Sequence, residues 1–172
     1  MIENKVFTAK EQKELIANMV ILIDSREKEI DHIKEFFSKK CIKHEIATLK
    51  YGDYSFYTSI HSSTYDFRRR QVIERKNSLD EIITNFTAER GRFENEFLKM
   101  SRGCRCLLLI ENNCIDDIVE GNYRSQAKQQ SIIASFLTFK HRYNLDSLFC
   151  KSENTGLMIY KYFYYLLHVL MN

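Results

Sequence analysis

Asp53, Glu74 and Lys76 have side-chain types suited to phosphate chemistry, set in an Asp-x20-Glu-x-Lys spacing. The segment Gln71–Lys76 reads as a strand, a β-branched pair flanked by polar residues. Alternation along a strand sends Glu74 and Lys76 to the same side. Asp53 opens an earlier strand, Asp53–Tyr57, directly after Gly52, a residue free to take turn conformations. Two carboxylates and a lysine converging at one sheet edge could hold a hard divalent cation beside a phosphate and activate a water there. The bare spacing also fits a solvated strand end with an ordinary cross-strand ion pair, so the elements around it must decide.

Those elements alternate between strand and helix. Residues Ala9–Met19 read as a short helix with Leu15, Ile16 and Met19 on one side, an accessory piece (1–19) ahead of a main domain (20–172). Met19–Asp24 is an apolar run closed by an acid, as in a central strand buried on both faces. Glu27–Lys40 is an amphipathic helix with Ile30, Ile33, Phe36 and Phe37 at helical spacing, and His44–Leu49 a strand. After Asp53–Tyr57 a polar loop, Thr58–Asp66, leads antiparallel into Gln71–Lys76. It could act as a mobile flap. Ser78 with Glu81 fits a capping box opening a helix with Leu79, Ile82, Ile83 and Phe86 inward. A helix at Arg90–Ser101, a buried strand at Arg105–Glu111 and a short helix at Ile115–Glu120 follow. A helix at Gln126–Tyr143, an edge strand at Leu145–Cys150 and a last helix at Glu153–Leu170 complete an α/β architecture: a mixed sheet with helices on both sides.

The chain has 172 residues, 44% of them hydrophobic, which suits one globular domain rather than a disordered segment. With no proline and only five glycines, no linker stands out. The net charge of +3 permits nucleic-acid binding without arguing for it. Five cysteines lack disulfide-like spacing, and no apolar leader precedes them. Cys104-x-Cys106 has no second Cys/His pair at ligand spacing, so free thiols are expected. The apolar run Leu157–Met171 contains Lys161 and His168 and is too short to cross a bilayer.

The neighbourhood of the three residues is more specific than their spacing. It runs Ile21-Leu22-Ile23-Asp24-Ser25-Arg26-Glu27, then Gly52-Asp53, then Glu74-Arg75-Lys76-x-x-x-Asp80. Gly91-Arg92-Phe93 and Cys106-Leu107-Leu108-Leu109-Ile110-Glu111 follow. From Val20 to Leu170 this resembles the catalytic domain of the XPF (xeroderma pigmentosum group F) family of structure-specific DNA endonucleases, within the PD-(D/E)xK superfamily. The resemblance implies a restriction-endonuclease-like mixed central β-sheet flanked by helices on both faces. It also implies that Asp53, Glu74 and Lys76 form the catalytic core, and Asp24, Arg75 and Asp80 join them as candidate members of the catalytic set.

Asp53 and Glu74 are the first candidates to ligate Mg2+ or Mn2+, since magnesium keeps several waters and needs few protein ligands. Asp24 could complete that site or hold a second ion; alternatively it N-caps the helix beginning near Glu27. Lys76 would orient or deprotonate the attacking water or, more safely for a lysine beside two acids, stabilise charge. Arg75 points to the other face and could tie down Asp80 or another acid. Asp80 has a supporting role or is simply favoured at a helix start. Arg26 and Arg92 are phosphate contacts by the resemblance, and Glu27 a reach to the metal or its waters. Glu96 stands where the family commonly has glutamine. The basic run Arg68, Arg69 and Arg70 is a nucleic-acid contact or a solvated loop.

The expected activity is therefore metal-dependent phosphodiester hydrolysis in branched or flap DNA, leaving a 5′-phosphate and a 3′-hydroxyl. The alternatives are a non-catalytic DNA-binding partner of the same fold, or a nuclease for RNA or free DNA ends. Degenerate partners lose the acids that this chain retains. Larger family members add a tandem helix-hairpin-helix domain, and the sequence reads as the nuclease domain without one. A homodimer or heterodimer through this domain is expected, with Gln126–Tyr143 and the Tyr-rich last helix (Tyr160, Tyr162, Phe163, Tyr164, Tyr165) as its surface. The cysteine usage suits a cytoplasmic protein, and the Lys/Ile/Asn-rich composition a bacterial or phage one; no membrane partner is expected.

Overall fold

The computed structural model describes residue 2 and residues 5–172. In chain order the elements are α1 (Ala9–Ala17), β1 (Val20–Asp24), α2 (Asp31–Lys39), β2 (His44–Ala47), β3 (Tyr54–Ile60), β4 (Ser63–Asp66) and β5 (Gln71–Lys76). Then come α3 (Leu79–Phe86), α4 (Arg90–Met100), β6 (Arg105–Glu111), α5 (Ile115–Glu120), α6 (Gln129–Tyr143), β7 (Asp146–Cys150) and α7 (Ser152–Leu170). The strands make a seven-stranded mixed sheet flanked by helices, the expected fold class. Residue contacts gather into two compact units. One holds the chain up to Val72 with Glu153–Asn172; the other holds Ile73–Ser152.

In the first unit β1 lies between a parallel β2 (Ile23↔Ile46) and an antiparallel β3 (Ile23↔Tyr54). With neighbours on both edges, Ile21, Leu22 and Ile23 are fully buried, as their unbroken apolar run predicts. Helix α1 is opened by a complete capping box between Thr8 and Glu11. Its carbonyl at Leu15 accepts from the buried Thr58 hydroxyl. Helix α7 packs Phe163 against Phe56 with centroids 4.8 Å apart, and Phe56 stacks on Phe67 at 4.3 Å. Gly156 lies so close to α2 that a Cβ there would sit 2.8 Å from Phe36 Cδ1.

Two expectations fail in this unit. Helix α2 starts at Asp31 rather than Glu27, because Asp24 draws the following residues into a turn and Glu29 takes a left-handed φ of 54°. The expected loop Thr58–Asp66 is instead a hairpin, with β4 paired antiparallel to β3 (Tyr57↔Asp66). His61 supplies the left-handed turn residue at φ 52°, a place usually given to glycine or asparagine. The segment is thus a ladder-bonded hairpin rather than a loop.

The second unit runs its strands β5, β6, β7, with β6 and β7 parallel (Leu109↔Leu148) and β7 at the edge. An aromatic cluster joins its helices: Phe93 meets Phe97 at 4.5 Å, Phe86 meets Phe139 at 5.0 Å, and Phe93 meets Phe139 at 5.4 Å. Helix α3 begins as predicted, with Ser78 Oγ accepting from the Glu81 N–H. The capping box is only half formed, because the Glu81 carboxylate accepts from the Asn77 N–H instead. No described helix is long and apolar enough to cross a membrane. None of the five cysteines is in a disulfide.

Candidate active site

The first unit carries Asp24, Arg26 and Asp53. Gly52 takes a left-handed φ of 64°, the turn its position before β3 calls for, and this delivers Asp53. The Asp53 carbonyl accepts from the Asp24 N–H at 2.8 Å, so the main chains of these two residues are directly joined. The Asp24 carboxylate is buried at 2% exposure and well supplied with donors. Its Oδ1 accepts from the Arg26 N–H at 2.9 Å and from Arg26 Nε at 2.6 Å, while Oδ2 accepts from the Leu49 N–H at 2.7 Å. Burial opposes ionisation, but the Arg26 guanidinium and the two backbone donors outweigh it and hold the carboxyl below the usual range. Arg26 also donates to the Leu49 carbonyl at 3.1 Å. Asp24 thus staples the ends of β1 and β2 together and is not the N-cap of α2, which begins after Ile30 without a side-chain cap. Glu27 accepts from the Tyr54 hydroxyl at 3.2 Å.

The same unit repeats this Asp-x-Arg turn at Asp66. Its Oδ1 accepts from the Arg68 N–H at 2.9 Å, and Arg68 Nε donates to Oδ2 at 2.8 Å. Burial again opposes ionisation of Asp66, and the Arg68 bonds again prevail.

The second unit carries the signature strand β5. Glu74, Arg75 and Lys76 are all buried, at 6%, 7% and 8% exposure. Lys76 Nζ donates to Glu74 Oε1 at 2.7 Å, which bears out their shared face. The ammonium also lies 3.3 Å from Glu81 Oε1 and 5.6 Å from the centroid of the Phe93 ring. Arg75 makes a two-pronged pair with Glu111 at 2.8 and 2.9 Å. The acid behind it is therefore Glu111. Asp80, in the first turn of α3, instead accepts from the Arg124 N–H at 2.8 Å and faces Arg124 Nε at 3.5 Å. Arg92 is held by Glu89 at 2.5 Å, and Glu89 also accepts from Asn85 Nδ2 at 2.8 Å. The hydrogen bond from Arg92 and its charge lower the Glu89 carboxyl.

Sequence reasoning named none of Glu111, Glu89 and Asp66 as site residues, and read Glu81 only as the capping-box partner of Ser78. Glu111 had one signal: like Asp24, it is an acid closing an apolar strand, which marks a buried carboxylate in need of a partner. Among the described residues no three acid, imidazole or thiol groups gather as a ready metal cage. The donor chemistry still fits Mg2+ or Mn2+, hard ions that take one or two carboxylates and fill the rest with water. Both oxygens of Asp24 are already engaged within the first unit.

Comparison with known proteins agrees with this fold. The chain resembles the solved structure of XPF from Aeropyrum pernix, with a TM-score of 0.62 at 17% identity over 89% of this chain and 62% of that one. It is similarly close to XPF from Aeropyrum pernix in complex with DNA, with a TM-score of 0.61 at 16% identity over 87% of this chain and 65% of that one. The chain thus spans less than two thirds of the length of either structure. A search of curated protein sequences returns no match. The ERCC4 domain family matches residues 23–162, and with that span matched the chain belongs to the ERCC4 domain family.

Proposed function

We propose that this chain is a divalent-metal-dependent endodeoxyribonuclease that hydrolyses phosphodiesters in branched or flap DNA. The observation that carries the reading is the buried Glu74–Lys76 pair at 2.7 Å on the signature strand of an ERCC4 domain. Degenerate partners lose the signature acids, and this chain retains Glu74 beside Lys76. The DNA-bound Aeropyrum pernix structure of the same fold supports DNA as the substrate.

In this reading Asp53 and Glu74 hold Mg2+ or Mn2+, with Asp24 fixing the backbone that presents Asp53. The bound ion supplies Lewis acidity and lowers the pKa of a water. Lys76, with acceptors at Glu74 and Glu81, works as an ammonium and places positive charge beside the phosphate oxygens as they gain charge. Arg75 and Glu111 hold β5 in place from its other face, and Asp80 anchors the segment at Arg124 to α3. Arg26, Arg92 and the run Arg68, Arg69, Arg70 neutralise substrate phosphates. The products carry 5′-phosphate and 3′-hydroxyl ends. A two-subunit assembly, homodimeric or heterodimeric, uses the outer faces of α6 and α7, where Leu137, Tyr165 and Val169 are 48%, 60% and 71% exposed.

The test is cleavage of labelled single-stranded, duplex, 3′-flap and four-way DNA, and of matching RNA, with Mg2+, Mn2+ or EDTA, by wild type and Asp53→Ala. Metal-dependent cuts of flap or branched DNA that the variant loses are the expected result. Binding without cutting would move the chain to the DNA-binding-partner reading, and preferential cutting of RNA to a different substrate.

A further inference from the structure

We propose that the β3–β4 hairpin and the turn after it form a binding track for an unpaired nucleic-acid strand, built entirely within the first unit. This rests on the nuclease reading and names the part of the substrate that reading leaves open.

Two hollows adjoin here, and both are lined by Asp66 and Arg70. The larger, of about 510 Å³, is bounded by Thr48, Lys50 and the run Arg68 to Arg70. The smaller, of about 370 Å³, is bounded by Lys5, Ser63, Thr64, Tyr65 and Phe67 among others. Among the described lining residues five are cations, Lys5, Lys50, Arg68, Arg69 and Arg70, and one, Asp66, is a carboxylate. Asp66 adds little repulsion for a phosphate, since Arg68 holds it through both oxygens. That pairing also lets Arg68 shape the turn, and its cation stands with Lys50 and Arg69 along the larger hollow.

The smaller hollow adds what a bare basic patch lacks, a half-buried aromatic face. The Tyr65 ring stands nearly perpendicular to Phe7, with centroids 6.0 Å apart, and Lys5 Nζ lies over one of its faces at 5.4 Å, which leaves the opposite face for a base. Ser63 and Thr64 line the same hollow. A basic channel with a fixed aromatic platform is the chemistry that holds single strands: the backbone follows the cations and a splayed base stacks on the ring. A duplex keeps its bases stacked inside and offers nothing to Tyr65. The track therefore discriminates the unpaired arm of a branched substrate from its paired stem. The hairpin that carries it is ladder-bonded, so the platform is positioned before substrate arrives.

The experiment is equilibrium binding of fluorescein-labelled single-stranded and duplex DNA of equal length in EDTA, where no cleavage can occur. Wild type is compared with Lys50→Ala/Arg69→Ala, with Lys50→Arg/Arg69→Lys and with Tyr65→Ala; circular dichroism and melting establish that each is folded. Single-strand affinity should fall by about tenfold for the double alanine variant, with a log–log salt slope shallower by about 1–2. The charge-keeping variant should restore both. Tyr65→Ala should lose about tenfold on single strands and less than about twofold on duplex. Unchanged single-strand binding in both alanine variants, or equal losses on duplex, overturns the track even if the protein cleaves DNA. Loss of single-strand binding in a protein that never cleaves upholds the track and refutes the nuclease reading.

Discussion

Adjacent residues of β5 carry two buried ion pairs of different design. Arg75 faces Glu111 with two parallel bonds, and both side chains are nearly sealed from water, at 5% and 2% exposure. Lys76 meets Glu74 through one bond and shares its charge with Glu81, which is 40% exposed. A planar fork on a carboxylate is rigid and leaves little room for a third partner. A point charge divided between two acids keeps acceptor and donor capacity for something else. The strand thus places a two-pronged, sealed pair on one face and, on the other, the pair to which the proposed function gives the chemistry; strand alternation alone separates them.

The same substitution on each face breaks the comparison most sharply. Glu111→Gln strands the Arg75 cation in the interior and should cost about 3–5 kcal/mol in urea unfolding. Asp24→Asn weakens three hydrogen bonds to a buried carboxylate and should cost about 2 kcal/mol at pH 7. Because the Asp24 pKa is lowered on folding, its stabilisation is present above the unfolded value and lost as pH falls through the folded one. The difference between wild type and Asp24→Asn should therefore stay level from pH 8 to 5 and narrow below about pH 4. Glu74→Gln keeps an acceptor for Lys76, which also retains Glu81, so it should cost only about 1 kcal/mol. Asp66→Asn, in the exposed twin of the Asp24 turn, should change stability by less than about 0.5 kcal/mol. A Glu74→Gln loss as large as that of Glu111→Gln would mean that both faces are structural.

The contrast between the faces also marks what the sequence could convey. Strands β5 and β6 have the predicted limits, because short apolar runs bounded by polar residues have a single reading when both faces are covered. The side shared by Glu74 and Lys76 follows from period two. The partner of Arg75 does not, since Glu111 lies 36 residues away and only the β5–β6 arrangement of the second unit brings it near. The start of α2 was hidden because Arg26, Glu27 and Lys28 are good helix formers, whereas the Asp24 carboxylate captures the Arg26 N–H first. Strand β4 was hidden because Ser63 to Asp66 alternate without an apolar face, and because His61 rather than glycine makes the turn. The hollows along that hairpin arise only once it is folded.

The most direct measurement of the central claim is the single-turnover cleavage rate of a 3′-flap DNA in Mg2+ by wild type and Glu74→Gln, at saturating protein and with folded fractions matched by melting. The account predicts a fall of at least about a thousandfold, equivalent to about 4 kcal/mol of transition-state stabilisation, with DNA affinity in EDTA within about threefold of wild type. A variant that cleaves near the wild-type rate would contradict it, because the buried pair on β5 would then have no part in the chemistry.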